Sequence, residues 1–202
     1  GGLAILEIKA YPERFFDSYK LSKIYYKETE DGELKEFDKN IKLDMIFYKY
    51  IKNYDDWQRI SKEYAENYLL MADIDFSSRK DVNVGVLINR LETTGSDEYH
   101  TLSGIEIDIT KNKMGVNIIQ KVIGGMKNII FDDIKITDTS PGTNNYSNLI
   151  MYNYGTLENL AFKNITIDSP KENYVSVIGA NYGLKVNNIT LDNITINGRE
   201  YV

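Results

Sequence analysis

One pattern occurs three times in the second half of the chain. It reads Asn, apolar, any residue, apolar, two polar residues, Ile, polar and Ile, and its copies are Asn128–Ile136, Asn159–Ile167 and Asn188–Ile196. Successive copies start about 30 residues apart. The glycines that precede them are Gly125, Gly155 and Gly183. A fixed period of this length is typical of solenoids, because one short coil buries its apolar face only by stacking on the next.

The apolar residues of each copy indicate a strand that turns a corner. Successive side chains of a strand point to opposite sides, and here the alternation shifts phase at the two polar residues. The interior columns that stacking predicts are Phe131, Phe162 and Leu191, and Ile136, Ile167 and Ile196. The leading asparagines are predicted to form a ladder whose amides bond the backbone or each other: Asn128, Asn159 and Asn188.

These features predict a mostly β fold, a parallel β-helix over residues 53–202. The clearest copies cover residues 115–136, 147–167 and 175–196, and the alternating segment Leu102–Ile109 is expected in an earlier coil. An antiparallel sandwich also uses short alternating strands, but it does not explain a fixed period. Because no capping element follows the last copy, we expect the full-length protein to continue into further domains, or this end to pair with something.

Residues 1–52 are predicted to form a small antiparallel β element. The runs in which apolar and polar residues alternate are Leu3–Ile8, Leu21–Tyr26 and Ile41–Phe47. Such alternation is typical of strands with one buried face. Asp31 and Gly32 lie between the last two runs, and this dipeptide favours the tight turn of a β-hairpin. We therefore expect a hairpin there.

A short amphipathic helix is predicted to cap the open end of the solenoid core. Its apolar residues at helical spacing are Trp57, Ile60, Tyr64 and Ala65. Asp55 or Asp56 is a suitable N-cap residue, and Asn67 is expected to end the helix. Tyr68–Phe76 then starts a new layer as a strand.

Charge and composition exclude several partners. The net charge is −6 and the pI is near 5.0, whereas a nucleic acid or an anionic membrane would need a basic face. Apolar runs such as Asn148–Tyr152 are far shorter than the ~20 residues of a membrane span. The absence of cysteine excludes disulfides, thiolate nucleophiles and zinc–thiolate sites. This composition favours an extracellular location slightly.

His100 is the single histidine. A Ser-His-Asp set would need His100 with a nearby serine such as Ser103, but the surrounding sequence does not resemble a nucleophile elbow. We interpret His100 as a structural or surface residue.

Three acidic pairs are further candidates for chemistry: Asp73 with Asp75, Glu106 with Asp108, and Asp132 with Asp133. Paired carboxylates act as acid and base in glycoside hydrolysis or bind calcium, as in β-helix polysaccharide lyases. Those lyases also need a basic residue beside the metal, and Arg199 is the only arginine from Thr101 onward. We interpret the pairs as surface carboxylates, with a calcium or saccharide site as the alternative. No catalytic, cofactor-binding or metal-binding residue is assigned.

Tyrosines in the repeats are candidates for a carbohydrate-binding groove, since aromatic faces stack on sugars: Tyr146, Tyr152, Tyr154, Tyr174 and Tyr182. The alternative is that most of them pack between coils, because Tyr154 and Tyr182 recur in register. The triplets Asn164–Thr166 and Asn193–Thr195 match a glycosylation sequon, but the repeat itself explains them.

The repeats resemble a known family. Asn153–Asn159 and Asn181–Asn188 resemble the GLUG-type repeats of large bacterial surface proteins, in which a Gly-X-(Ile/Val/Leu)-X-Asn turn leads into an apolar strand. Tyr68–Phe76, with Trp57 upstream, is similar to the entry to such repeats in the non-catalytic N-terminal region of bacterial metallopeptidases that cleave immunoglobulin A. The resemblance covers residues 54–202. It implies a right-handed, pectin-lyase-like parallel β-helix in a secreted or wall-attached protein.

The expected function is a non-catalytic structural or adhesive module at the bacterial cell surface, as an accessory region of a larger peptidase or on its own. The sequence has no His-Glu-X-X-His motif and no wall-anchoring motif. The expected partners are a host or cell-wall protein or glycan, and no cofactor is expected. The alternative is a polysaccharide-binding or pectin-lyase-like carbohydrate-active enzyme.

Overall fold

The computed structural model describes residues 25–27, 29–36, 48–79, 81–93, 98–110, 116–140 and 146–202. The chain divides into two compact units, Gly1–Phe47 and Tyr48–Val202. The sequence predicts this boundary between residues 52 and 53, slightly later than the structure places it. The structural boundary comes earlier because Tyr48–Ile51 is a strand that pairs in parallel with Asn67–Leu70 of the second unit.

The described part of the first unit contains a β-hairpin. Strand β1 (Tyr25–Tyr26) pairs antiparallel with β2 (Lys35–Glu36). In the turn between them, the Gly32 N–H donates to the carbonyl of Thr29 at 2.9 Å. The Asp-Gly pair thus lies in a hairpin turn as predicted. Outside the described residues lie the predicted runs Leu3–Ile8 and Ile41–Phe47.

The second unit is a parallel β-solenoid of about four turns, which confirms the predicted fold class. Its early strands are β3 (Tyr48–Ile51), β4 (Asn67–Leu70), β5 (Ile74–Asp75), β6 (Val84–Leu87), β7 (Arg90–Thr93) and β8 (His100–Ile109). Three regular coils follow, each with a shorter and a longer strand. Coil 1 contains β9 (Val116–Val122) and β10 (Gly125–Asp138), coil 2 contains β11 (Tyr146–Asn153) and β12 (Thr156–Ser169), and coil 3 contains β13 (Tyr174–Asn181) and β14 (Lys185–Gly198).

Two parallel sheets run along the solenoid. One has the order β6, β9, β11 and β13, and the other has the order β3, β4, β7, β10, β12 and β14, with β5 and β8 alongside. The long strand β10 pairs first with β7 and then with β8. Leu102–Ile109 therefore occupies the coil before coil 1, as predicted. Among the described residues, no helix has the length and hydropathy of a membrane span.

Equivalent residues of the coils stack in the predicted columns. Phe131 aligns with Phe162, and Phe162 aligns with Leu191. Both phenylalanines are fully buried, whereas Leu191 in coil 3 is 60% exposed. The second predicted column is aligned in the same way: Ile136, Ile167 and Ile196.

The first corner of each long strand is made by an asparagine with left-handed backbone. Asn128, Asn159 and Asn188 have φ values of 59°, 53° and 53°, which asparagine tolerates better than most non-glycine residues. Asn159 Nδ2 donates to Asn128 Oδ1 at 2.8 Å, and Asn188 Nδ2 donates to Asn159 Oδ1 at 2.9 Å. The predicted ladder is confirmed, and its bonds join one amide to the next.

A second corner lies at the two polar residues where the alternation shifts phase. Its residues with positive φ are Asp133, Asn164 and Asn193, at 51°, 51° and 54°. Asn193 Nδ2 donates to Asn164 Oδ1 at 2.7 Å. In the preceding coil the register places Gly104 at this corner, with a φ of 69°. A Cβ on Gly104 would lie 2.6 Å from Asp75 Oδ1, so the bend there requires glycine.

Of the two glycines before the first copy, Gly124 is the one that stacks with the glycine of the next coil. Gly125 pairs with Thr156, so Gly124 is the residue that aligns with Gly155. A Cβ on Gly155 would lie 2.4 Å from the carbonyl oxygen of Gly124, and one on Gly183 would lie 2.3 Å from that of Gly155. Coil 1 has two adjacent glycines, and only the stacking distinguishes them.

Helix α1 (Tyr54–Arg59) is shorter than predicted. Its N-cap is Asn53, whose Oδ1 accepts the backbone N–H of Asp56 at 3.0 Å, so the prediction of Asp55 or Asp56 was wrong. The asparagine precedes the helix with extended backbone, which lets its side chain reach back to the first turn. The helix ends before Tyr64, which is 52% exposed.

Trp57 joins α1 to the core of the solenoid. Its side chain is fully buried, and its Nε1 donates to the carbonyl of Val82 at 2.9 Å. Its ring packs edge-on against Phe76, with 5.5 Å between ring centroids. The predicted strand Tyr68–Phe76 is divided into β4 and β5.

Candidate functional site

His100 lies at the start of β8 and contacts an acidic residue. Its Nδ1 is 3.3 Å from Asp73 Oδ1, and the same oxygen accepts the backbone N–H of Thr101 at 2.7 Å. Ser103 lies three positions further along the strand, roughly 10 Å away. The structure therefore separates His100 from Ser103, and His100 joins β8 to the segment before β5.

The first two acidic pairs lie on the surface and make local contacts. Asp75 Oδ1 accepts the backbone N–H of Ser77 at 2.8 Å. Hydrogen bonds from the side chain and backbone of Ser77 hold the pKa of Asp75 below its ordinary value. Glu106 forms an exposed ion pair with Lys135 at 3.4 Å.

The third pair belongs to the second corner. Asp132 Oδ1 accepts the side-chain amide of Asn164 at 2.8 Å, and Asp133 supplies the positive φ of the bend. Within the described ranges, no three histidine, aspartate or glutamate side chains lie close enough to hold a metal ion. Arg199 follows β14, where its guanidinium pairs with Glu200 at 3.6 Å, whereas the acidic pairs lie on or beside β5, β8 and β10.

The candidate tyrosines are brought together on the surface of coils 2 and 3. Tyr146 stacks on Tyr174 at 4.9 Å, and Tyr154 stacks on Tyr182 at 5.3 Å. Tyr152 lies between these stacks, with its ring centroid 6.2 Å from Tyr146 and 6.2 Å from Tyr154. Burial and a hydrogen bond with Tyr146 raise the pKa of Tyr152 above its ordinary value.

A further tyrosine, which sequence reasoning missed, extends the first stack. Tyr201 lies 5.0 Å from Tyr174 with the rings 9° from parallel, and its backbone carbonyl accepts the N–H of Val175 at 3.0 Å. Tyr201 follows Tyr174 by nearly one repeat period, and this spacing was the sequence signal that could have identified it. We call these residues the tyrosine face: Tyr146, Tyr152, Tyr154, Tyr174, Tyr182 and Tyr201.

Four of the six residues of the tyrosine face are exposed, and Tyr146 and Tyr152 are half-buried. Tyr174 is 39% exposed although Tyr146 and Tyr201 stack against it, and Tyr154 is 44% exposed beneath Tyr182. Strands β11 and β13 contain no charged residue. The tyrosines therefore stack from coil to coil, as one interpretation expected, and the carbohydrate-binding groove stays a prediction.

The sequon-like triplets serve the second corner. The amides of Asn164 and Asn193 are both engaged in its ladder. The repeat thus accounts for these asparagines, as the sequence interpretation held.

A buried carboxylate was also missed. Asp138 is fully buried at the end of β10, and its Oδ1 accepts the backbone N–H of Ser140 at 2.9 Å and the Ser140 hydroxyl at 2.6 Å. Its burial could have been predicted from the alternation, because Asp138 lies two residues after Ile136 and four after Ile134, on the same inward side of the strand. This side chain ends the strand with a local turn.

Comparison with known proteins gives no match among family models, curated proteins or solved structures.

Proposed function

We propose that this chain is a non-catalytic structural and adhesive β-helix module of a secreted or surface-attached bacterial protein, and that the tyrosine face is its binding surface. The observation that carries the proposal is the exposure of this face. Isolated apolar residues on a surface need no explanation, but a continuous exposed aromatic patch is typical of an interaction site. Tyrosine is well suited to this role, since its ring gives contact area and its hydroxyl gives hydrogen bonds.

The arrangement of the acidic residues supports a non-catalytic role. A glycoside hydrolase needs two carboxylates facing one reacting bond. Here Asp75 is bonded to Ser77, Glu106 pairs with Lys135, and Asp132 is part of an amide ladder. Each of these three carboxylates thus contacts a partner of its own.

The resemblance of the repeats to those of bacterial surface proteins supports the extracellular location and a role as an accessory region of a larger peptidase. The expected partners are host or cell-wall proteins and glycans. Polysaccharide binding is the candidate that the tyrosine face favours most directly, because tyrosine rings and hydroxyls suit sugars.

Retention of the purified protein on surfaces coated with mucin, fibronectin or peptidoglycan tests the adhesive role. We expect retention on at least one surface, and we expect the double variant Tyr154→Ala/Tyr182→Ala to lose it. The matched control is Tyr64→Ala/Tyr99→Ala, which removes two tyrosines of similar exposure from elsewhere on the second unit. Equal retention of the two double variants, or no retention of the wild type, would contradict the proposal.

A lyase assay tests the enzymatic alternative. The protein is incubated with uronic-acid polysaccharides and calcium, and unsaturated products are followed by their ultraviolet absorbance. We expect no product. Product formation that is abolished by Asp132→Asn or Glu106→Gln would replace the adhesive proposal with a pectin-lyase-like activity.

A further inference from the structure

Coil 3 has a notch in the tyrosine face. The tyrosine stacks that flank Tyr152 in coil 2 continue into coil 3 as Tyr174 and Tyr182. The residue between them in coil 3 is Ala180, which aligns with Tyr152 in the register of β11 and β13. Coil 3 therefore keeps both aromatic walls but lacks the ring that lies between them in coil 2.

The protein itself shows what size of group this notch accepts. In coil 2 the space between the stacks is filled by one six-membered ring, that of Tyr152, at 6.2 Å from each neighbour. Adjacent parallel strands lie about 4.8 Å apart, so the notch is one ring thick and has Tyr152 as its floor. A ligand that enters it must offer one ring of about that size.

The chemistry of the notch favours a neutral sugar ring. Its walls are phenol rings that carry hydroxyls, and the strands beneath them have no charged residue. The nearest charge in the same column is Lys121, which lies beneath Tyr152 in coil 1. A polyanion such as a uronic-acid chain would need basic partners, whereas a neutral pyranose needs an aromatic surface and hydroxyl partners.

We propose that the notch at Ala180 binds one pyranose ring of a neutral glycan, between Tyr174 and Tyr182 and against Tyr152. This inference rests on the proposed adhesive function and names the ligand class of the same face. The substitution Ala180→Tyr tests it directly, because it recreates in coil 3 the arrangement already present in coil 2. The variant is therefore expected to fold while its notch is filled.

Binding is measured by calorimetry with hexasaccharides of β-1,4-linked glucose, N-acetylglucosamine and xylose. Hexagalacturonate is the anionic comparison, and a proline-rich peptide is the peptide comparison. We expect the wild type to bind at least one neutral hexasaccharide and Ala180→Tyr to bind it at least about tenfold more weakly. The matched control Lys121→Tyr adds a tyrosine to the same column below Tyr152, and its affinity should equal that of the wild type. Tyr182→Ala removes one wall and should also weaken binding.

Several results would overturn the inference. These are no binding of any neutral hexasaccharide, equal affinity in Ala180→Tyr, or preferential binding of hexagalacturonate or the peptide. Thermal melts of each variant distinguish loss of the notch from loss of folding, and a misfolded Ala180→Tyr would leave Tyr182→Ala as the deciding variant.

If these tests fail but Tyr154→Ala/Tyr182→Ala still loses surface retention, the adhesive function stands without the notch. If that retention is also unchanged, the adhesive function fails on its own evidence.

Discussion

The rings of Phe131 and Phe162 lie 5.2 Å apart and within 9° of parallel, in successive coils of the solenoid. Both side chains are fully buried, and their rings pack against each other between coil 1 and coil 2. Burial of this kind removes a large apolar area from water, and coil-to-coil stacking therefore stabilises the second unit.

Replacing Phe162 with Ala is expected to lower the free energy of unfolding by about 3–5 kcal/mol, because it opens a cavity between two coils. Leu191→Ala in the same column is the control, and since Leu191 is 60% exposed it should cost less than about 1 kcal/mol. Urea denaturation followed by circular dichroism measures both. Similar losses in the two variants would show that the column is not the stabilising element.

Asn159 is expected to show two separable contributions at its corner. Asn159→Ala loses both ladder bonds and places alanine at a φ of 53°, so we expect a loss of about 2–3 kcal/mol. Asn159→Gly loses the same bonds but accepts this backbone, and it should recover about 1 kcal/mol of that loss. Chemical denaturation of the pair checks this, and an Asn159→Gly variant less stable than Asn159→Ala would refute the backbone argument.

Gly155→Ala is expected to destabilise the solenoid by at least about 2 kcal/mol, because its Cβ would lie 2.4 Å from the carbonyl oxygen of Gly124. Gly85→Ala provides the comparison, since a Cβ there meets nothing within 4 Å. Because alanine has fewer conformations than glycine in the unfolded chain, the free energy of unfolding of Gly85→Ala should be unchanged or up to about 1 kcal/mol higher. Melting temperatures of the two variants decide the point, and a tolerated Gly155→Ala would count against close coil packing at this turn.

Stability is expected to fall in alkaline solution between pH 10 and 12. Burial, reinforced by a hydrogen bond to Glu92, raises the pKa of Tyr48 from 10.0 to about 12. The folded state therefore favours the neutral phenol, whose stabilising effect is complete below pH 10 and is lost as the pH approaches 12. Tyr48 should contribute a slope of up to about 1.4 kcal/mol per pH unit in this window. Denaturation at a series of pH values should give a shallower slope for Tyr48→Phe, and identical slopes would contradict this assignment. The pKa of Tyr68 is also raised by burial, so part of the decline should persist in the variant.

The stacking of the coils could be predicted from the sequence because two patterns in the repeat, its period and its alternation, both indicate it. The period indicates that Phe162 lies beside Phe131, and the alternation within each copy indicates that both face inward. The asparagine ladder follows from the same register. Features set by local geometry were harder to predict. Asn53 caps α1 because its backbone is extended just before the helix. The spacing between Asn53 and Trp57 in the sequence does not reveal this backbone conformation.

The tyrosine face could be predicted only as a set of candidates. Recurrence shows that Tyr154 and Tyr182 align, but it does not show whether their edges are covered by another part of the chain. The notch at Ala180 depends on the register of two strands and on both neighbouring stacks. Such a gap becomes visible only when the coils are placed on one another.

The same amide bond joins coil 1 to coil 2 and coil 2 to coil 3, since Asn159 donates to Asn128 and accepts from Asn188. A duplicated coil inserted between two existing ones would find the same partners on both of its sides. Length can therefore change by gene duplication without redesign of a junction. The length of the solenoid and the number of aromatic positions on its surface would then increase together, one coil at a time.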